Sequence, residues 1–563
     1  NIGPAASIRL RVGELDAYSQ TGSADITLFG RDSTIERIDL QGDQAATLRL
    51  VVESGDTTIR DTGIRTTGGA QTLSFAEDVT MAASTAIQST TGAIEMDVDG
   101  DVTISRIETG SAGANALDLT FDGIVGVADP NGLHLVADSV NAVTTLRATD
   151  TRPLVAPLRL RTQLAELVAN VAAQDLHIDE QTGIILNDVA AGSRILDVYA
   201  TGDVAIGQLA SNSNIVISSE GSIDAPTSAA LASSVNLFAF GGSINGAASP
   251  TQRLRMNAGA VLNQFARDDV HMAFADDGGQ IGYGIAQTGD FAASRTDTNG
   301  ELTANVVSAN GEASLRANGN VAVNFIGRGT LDLVDEVDLS LVVRTPNRFG
   351  NVTFGAPDDI SLEALAANSN ITLGLGELRR TADLNANTIN ANLYDMSAQD
   401  PLTLRASGAN NGFADSVAVN ILADDPSFTG HSGGMSTITS RQINGTQSQT
   451  GTPPTALGGV VMDFGRFRSG EITLANDNIA VRNVIASQDA TFRQRFFDLY
   501  AETGFSGRRT EFDVQLLSLA GSGLGLGELD FFMDDFRQIT TRNIISGRTD
   551  STSPILIGAG LFE

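Results

Sequence analysis

Three stretches of this chain repeat one pattern. Val198-Tyr199-Ala200-Thr201-Gly202-Asp203-Val204-Ala205-Ile206 alternates up to a Gly-Asp pair and then alternates again. Met96 to Ile104 repeats it around Gly100-Asp101, and Leu315 to Val323 around Gly319-Asn320. A fourth copy, Leu50 to Ile59 around Gly55-Asp56, is one residue longer. Period-two alternation specifies a strand, and Gly followed by Asp or Asn specifies a tight bend. A strand–bend–strand unit that keeps returning marks a repeat architecture.

The repeat length is legible in the middle of the chain. Ile184-Ile185-Leu186-Asn187-Asp188-Val189 returns 20 residues later as Val204 to Leu209. Ile215-Val216-Ile217 returns as Val235-Asn236-Leu237, and Gly221-Ser222-Ile223 as Gly242-Ser243-Ile244. A period of about 20 residues fits one coil of a parallel solenoid and is half that of a propeller blade. Within the coil, an apolar-x-apolar-x-x-apolar spacing recurs at Val102 to Ile107, Val204 to Leu209, Ile360 to Leu365 and Ile479 to Val484. Two inward residues, a two-residue corner and a third inward residue satisfy that spacing. The expected fold is therefore all-β, a right-handed parallel β-helix with Ile, Val, Leu and Ala inward and Asp, Thr, Arg and Asn outward. Longer echoes pair 203–215 with 359–371 and the Leu15 to Ile26 stretch with Leu167 to Leu176. They point to duplicated multi-coil blocks.

Two stretches break the pattern. Thr162 to Gln174 is rich in helix formers; it reads as a strand pair because it aligns with the Leu15 block, with a short helix as the alternative. Residues 427–458 are rich in Ser, Thr and Gly and carry Pro453-Pro454, which reads as a loop leaving the solenoid. The expected organisation is thus a β-helix over 1–426, a protruding loop over 427–458, and continuing solenoid over 459–563. The Phe-rich end of the last segment reads as a cap or subunit contact.

Charge narrows the function. There are 67 acidic and 35 basic residues in 563, a formal net charge of -32, and every basic residue is Arg. A surface this acidic repels nucleic acid and anionic membranes. No apolar run approaches the roughly 18 residues of a membrane-spanning helix. There is no Cys, so disulfides and thiolate metal sites are excluded. The opening Asn1-Ile2-Gly3 lacks a signal-peptide pattern, and the chain reads as a mature or excised piece of something longer.

Few residues offer chemistry. Asp97, Asp99 and Asp101 flank Gly100 and are candidate calcium ligands, although the closing Glu of a twelve-residue calcium loop is missing. Asp276-Asp277 and Asp534-Asp535 are weaker candidates of the same kind. Gly430-His431-Ser432-Gly433-Gly434 matches a nucleophile elbow in spacing but lacks the strand before it and the helix after it, and no His follows. The four His, at 134, 177, 271 and 431, show no metal-ligand spacing. Gly521 to Gly527 reads as a strand turn rather than a dinucleotide loop.

The Gly-Asp-Val-x-Ile text with its polar corners, and Leu164 to Val189 with them, resembles the filamentous-haemagglutinin-like large exoproteins of bacteria over most of residues 1–425. That resemblance implies a right-handed parallel β-helix, export across an outer membrane, and a role in adhesion or surface structure. The expected function is a non-enzymatic, extracellular surface protein. It would be an adhesin stalk or a self-assembling filament, sheath or surface-layer subunit, with self-association, other surface proteins, or a glycan or host surface as partners. The alternative is a carbohydrate-active β-helix enzyme or tailspike-like polysaccharide binder.

Overall fold

A computed structural model describes most of residues 6–393 with their side chains and, beyond 393, the backbone of strands up to Ala559. Every regular element among the described residues is a β-strand. They form a parallel β-solenoid with a spacing of roughly 22 residues per turn. The chain divides into two compact units, the first built chiefly on Asn1–Ala266 and the second on residues from Arg267 onward. Nothing in the sequence marks that division. The boundaries expected at 426 and 458 lie outside the described residues.

In the first unit each coil contributes a strand to each of two parallel sheets. In one, Ala24–Leu28, Leu48–Val52, Gln71–Phe75, Ile94–Val98 and Leu117–Phe121 stack in register. This aligns Ile26, Leu50, Leu73, Met96 and Leu119 in one inward column, all buried. Such columns withdraw about 1.5–3 kcal/mol of apolar side chain per residue from water. Outward residues on these strands are tied coil to coil instead. Arg49 reaches Asp25 at 3.0 Å and Arg147 reaches Asp118 at 2.7 Å.

The apolar-x-apolar-x-x-apolar spacing is a bent strand. Ile35 and Ile38, on either side of the corner in Ser33–Leu40, are both fully buried. Val204, Ile206 and Leu209 all point inward, and their register with Ile184, Leu186 and Val189 is the one the repeat implied. Ile360 to Leu365 departs from the rule: Ala364 takes the third buried position and Leu365 is only half-buried. The 162–174 stretch is indeed two strands, Leu158–Leu164 and Glu166–Val171, because alternation outweighs helix propensity where a face can be buried. Its alignment with the Leu15 block is not structural. Leu15 and Leu167 lie in different sheets, so that echo is not a duplicated coil.

One ladder ends early and is finished by a side chain. Among the described residues Val125–Val127 pairs with Val102–Ile104 on one side and with no strand on the other. On the other side the buried Gln174 accepts from the Val125 amide at 3.0 Å and donates to the Val125 carbonyl at 2.9 Å. Its amide replaces a strand.

In the second unit Phe291–Arg295, Glu312–Ala317, Asp359–Ala364 and Thr381–Asn385 repeat the same parallel stacking. Gly329–Asp332 and Asn351–Phe354 form the one antiparallel pair among the described residues. Parallel pairing continues through the strands beyond 393, including Met435–Ser440, which falls within the stretch expected to be a loop. The rest of that stretch lies outside the described residues.

Candidate functional site

The Gly-Asp corners explain the calcium candidates. Asp101 accepts from the Ile124 amide of the next coil at 2.8 Å, while its own amide donates to Asp78 of the previous coil at 2.7 Å. Asp56 and Asp32, Ser222 and Asp203, and Asp290 and Asp269 make the same step, at 3.2, 2.8 and 2.9 Å. The corner carboxylates form staircases that satisfy backbone donors which the turn would otherwise leave unpaired. Glycine precedes Asp56, Asp101, Asp203 and Asp290, and at Gly55 and Gly100 the reason is that the coils nearly touch. A Cβ at Gly100 would sit 2.4 Å from Asp78 Oδ1, and one at Gly55, where φ is 86°, would sit 2.3 Å from the Arg31 backbone.

Asp101 also pairs with the Arg152 guanidinium. Burial opposes its charge, but Arg152 and the Ile124 amide outweigh burial and hold its carboxyl below the usual range. Asp97 and Asp99 are exposed on the strand end and in the turn. The Asp97 carboxyl is pushed up by partial burial and by Asp99, Asp122 and Glu95. Among the described residues no three His, Asp or Glu gather in a metal-holding group. Asp97, Asp99 and Asp101 are therefore not drawn together as a cage, and one of them is committed to its corner. Asp276-Asp277, Asp534-Asp535, the Gly430 to Gly434 motif and Gly521 to Gly527 lie outside the described residues.

The residues worth chemical attention lie on one ladder of five strands, Leu176–Glu180, Ile195–Ala200, Asn214–Ser219, Ser234–Ala239 and Val261–Ala266, stacked in parallel register. Leu158, Leu160 and Leu164 on the preceding strand mark the coil interior. The opposite side of the ladder, which faces outward, is buried as well. One outward column runs His177, Asp197, Val216, Asn236, Asn263; the next runs Asp179, Tyr199, Ser218, Phe238, Phe265. Only Asp179 is not fully buried.

Its polar members are mostly paired. Asn236 donates to Asn214 at 2.7 Å and Asn263 donates to Asn236 at 2.9 Å, an asparagine ladder across three coils. Tyr199 donates its hydroxyl to Glu220 at 2.7 Å. Phe238 stacks on Phe240 with centroids 6.1 Å apart, and Phe240 tilts against Phe265 at 6.0 Å.

His177 and Asp197 are the exception. Nδ1 lies 3.1 Å from Asp197 Oδ2, with side chains only 7% and 6% exposed. His177 Nε2 and Asp197 Oδ1 have no hydrogen-bond partner. The carboxylate fixes one imidazole nitrogen, and the other is buried beside it without a partner. The pair was within reach of the sequence, since the 20-residue offset between Ile184 and Val204 also separates 177 from 197.

The remaining titratable groups nearby are structural. His134 is buried, donates Nε2–H to the Asp129 carbonyl at 2.7 Å and accepts from the Arg161 amide at 2.8 Å. Burial pushes its pKa down, so it is held neutral. Glu180 points into the coil and accepts from Thr162, Leu164 and Thr182, at 2.8, 3.0 and 2.7 Å for their closest contacts. Burial still outweighs those bonds and raises its pKa.

No family model, curated protein or solved structure matches this chain. Its function is argued from its own residues.

Proposed function

We propose that this chain is a non-enzymatic structural protein of a bacterial exterior, a β-solenoid serving as an adhesin stalk or as a self-assembling filament, sheath or surface-layer subunit. The observation that carries this reading is how the coils are tied together. Carboxylate staircases, an asparagine ladder and cross-coil ion pairs such as Arg60 with Glu14 and Glu36, at 2.8 and 2.6 Å, all run from coil to coil. Outward side chains are thus spent on holding neighbouring coils together, as a load-bearing stack requires. The acidic surface and the resemblance to exoprotein repeats are in keeping with an exported protein.

Electron microscopy of native material tests the reading. Regular filaments or sheets support the assembling subunit. Isolated rods support the stalk, to be followed by a glycan-binding screen. Compact particles lacking either form overturn both. The same specimens with a calcium chelator ask whether contacts between copies use calcium.

A second reading, a polysaccharide-acting enzyme or binder, rests on the His177–Asp197 pair alone: a carboxylate-oriented imidazole is a general-base arrangement, and because its second nitrogen is buried here, a substrate would reach it only once the outward face of the ladder is uncovered. A panel of acidic and neutral polysaccharides incubated with the wild type and with His177→Ala decides it. Activity lost in the variant supports this reading, and an inert wild type removes it.

A further inference from the structure

The interior of the same ladder contains one residue that breaks its column. Leu160, Ile178, Val198, Ile217 and Leu237 lie one above another across successive coils, and the next position is Gln264. Gln264 is 0% exposed, and neither its Nε2 nor its Oε1 has a hydrogen-bond partner. Two other buried glutamines show what the fold does elsewhere. Gln71 donates to Thr66 at 3.0 Å and to the Gln88 carbonyl at 2.6 Å. Gln174 bonds through both ends of its amide. An interior amide with no partner has lost its water and gained nothing in return, so its coil is destabilised relative to its neighbours.

We propose that Gln264 makes the Val261–Ala266 strand a built-in opening point, the place where the first compact unit yields before the coils stacked beneath it. Among the described residues the strand is also the last of that unit. In a solenoid each coil is held only by its neighbours, so stability is set locally and a single weak coil stays weak. Opening there returns both ends of the amide to water and recovers the lost hydrogen bonds. On the structural reading above, this is where a stack under load gives way first; the opening itself does not depend on that reading.

Hydrogen exchange of the full chain, resolved to peptides, tests the proposal. Amides of Val261–Ala266 are expected to exchange on the order of ten- to a hundredfold faster than those of Ser234–Ala239, the factor expected for a buried amide left unpaired. Gln264→Leu restores the apolar column and is expected to slow that exchange by a similar factor while leaving Ser234–Ala239 unchanged. Trypsin offers a second readout. Cleavage after the exposed Arg267, the next residue along, is expected to slow in Gln264→Leu, with cleavage after the exposed Arg31 unaffected. Ile217→Gln covers the case in which Gln264→Leu fails to fold: it puts an interior amide two coils away from Gln264, between Val198 and Leu237, and is expected to make Asn214–Ser219 exchange faster as well. Equal protection of the two strands in the wild type, or exchange in Gln264→Leu as fast as in the wild type, overturns the proposal.

Discussion

Two regions of the first unit use the same strand grammar and end with different surfaces. From Ala24–Leu28 to Leu117–Phe121, strands are buried on one side and carry partly or fully exposed residues on the other, in patterns such as Ile94–Val98 with alternate residues fully exposed. On the four stacked strands Ile195–Ala200, Asn214–Ser219, Ser234–Ala239 and Val261–Ala266 nearly every residue is buried on both sides. One-sided strands alternate, whereas strands covered on both faces lose that alternation and take large apolar residues outward. The contrast separates outward residues that merely tolerate water, such as Thr72, from outward residues that act as core, such as Phe238. Fold stability is therefore distributed unevenly along the first unit.

Substitution sharpens that contrast most at Phe238. Phe238→Ala is expected to cost about 3–5 kcal/mol, as for any core Phe, whereas Thr72→Ala, outward in the first region, stays within about 0.5 kcal/mol. Urea unfolding followed by local hydrogen exchange measures both. Similar costs at the two sites would erase the distinction.

Where the regions meet, Gln174→Ala leaves the Val125 amide and carbonyl without partners and is expected to cost about 1–3 kcal/mol, seen as faster exchange of the Val125–Val127 strand. Glu180, at the end of the Leu176–Glu180 strand that starts the doubly buried ladder, adds a pH dependence of its own. Glu180 holds its proton more tightly folded than unfolded, so its contribution is present below its unfolded value, about 4.3, and is lost as pH rises through its raised folded value. Glu180→Gln should flatten that segment of the melting-temperature profile, and an unchanged slope would locate the titration at another group.

In the first region, Asp101→Ala removes one corner acceptor and is expected to cost about 0.5–1 kcal/mol. Its melting temperature should respond to calcium no differently from the wild type's; a calcium-dependent difference would restore Asp101 as a ligand. The smallest effect belongs to Arg60→Ala, which breaks a largely exposed cluster with Glu14 and Glu36. The shift in melting temperature should vanish in high salt, because such pairs are screened.

Much of this was legible in the chain. Alternation fixes which residues can share a face, and the 20-residue offset places Ile184 opposite Val204 and Ile215 opposite Val235, as observed. The Gly-Asp text fixes where the chain bends, since no side chain fits where coils nearly touch at Gly100. The same text does not say which corner it serves. Gly100-Asp101 leads out of one sheet and Gly202-Asp203 out of the other, because both corners pose the same steric problem. The calcium reading of Asp97, Asp99 and Asp101 did not include the corner role Asp101 takes, since an Asp beside a Gly can serve a backbone amide of the next coil as well as a cation.

By itself, then, the sequence determined the strand period, the coil length and the inward columns, all of which are set by local alternation and repeat. Only the tertiary structure decided that the outward face from His177 to Phe265 is buried and that Gln264 finds no hydrogen-bond partner. Those outcomes depend on what residues from other coils bring alongside, and a side chain's partners are fixed by stacking rather than by its neighbours in the chain.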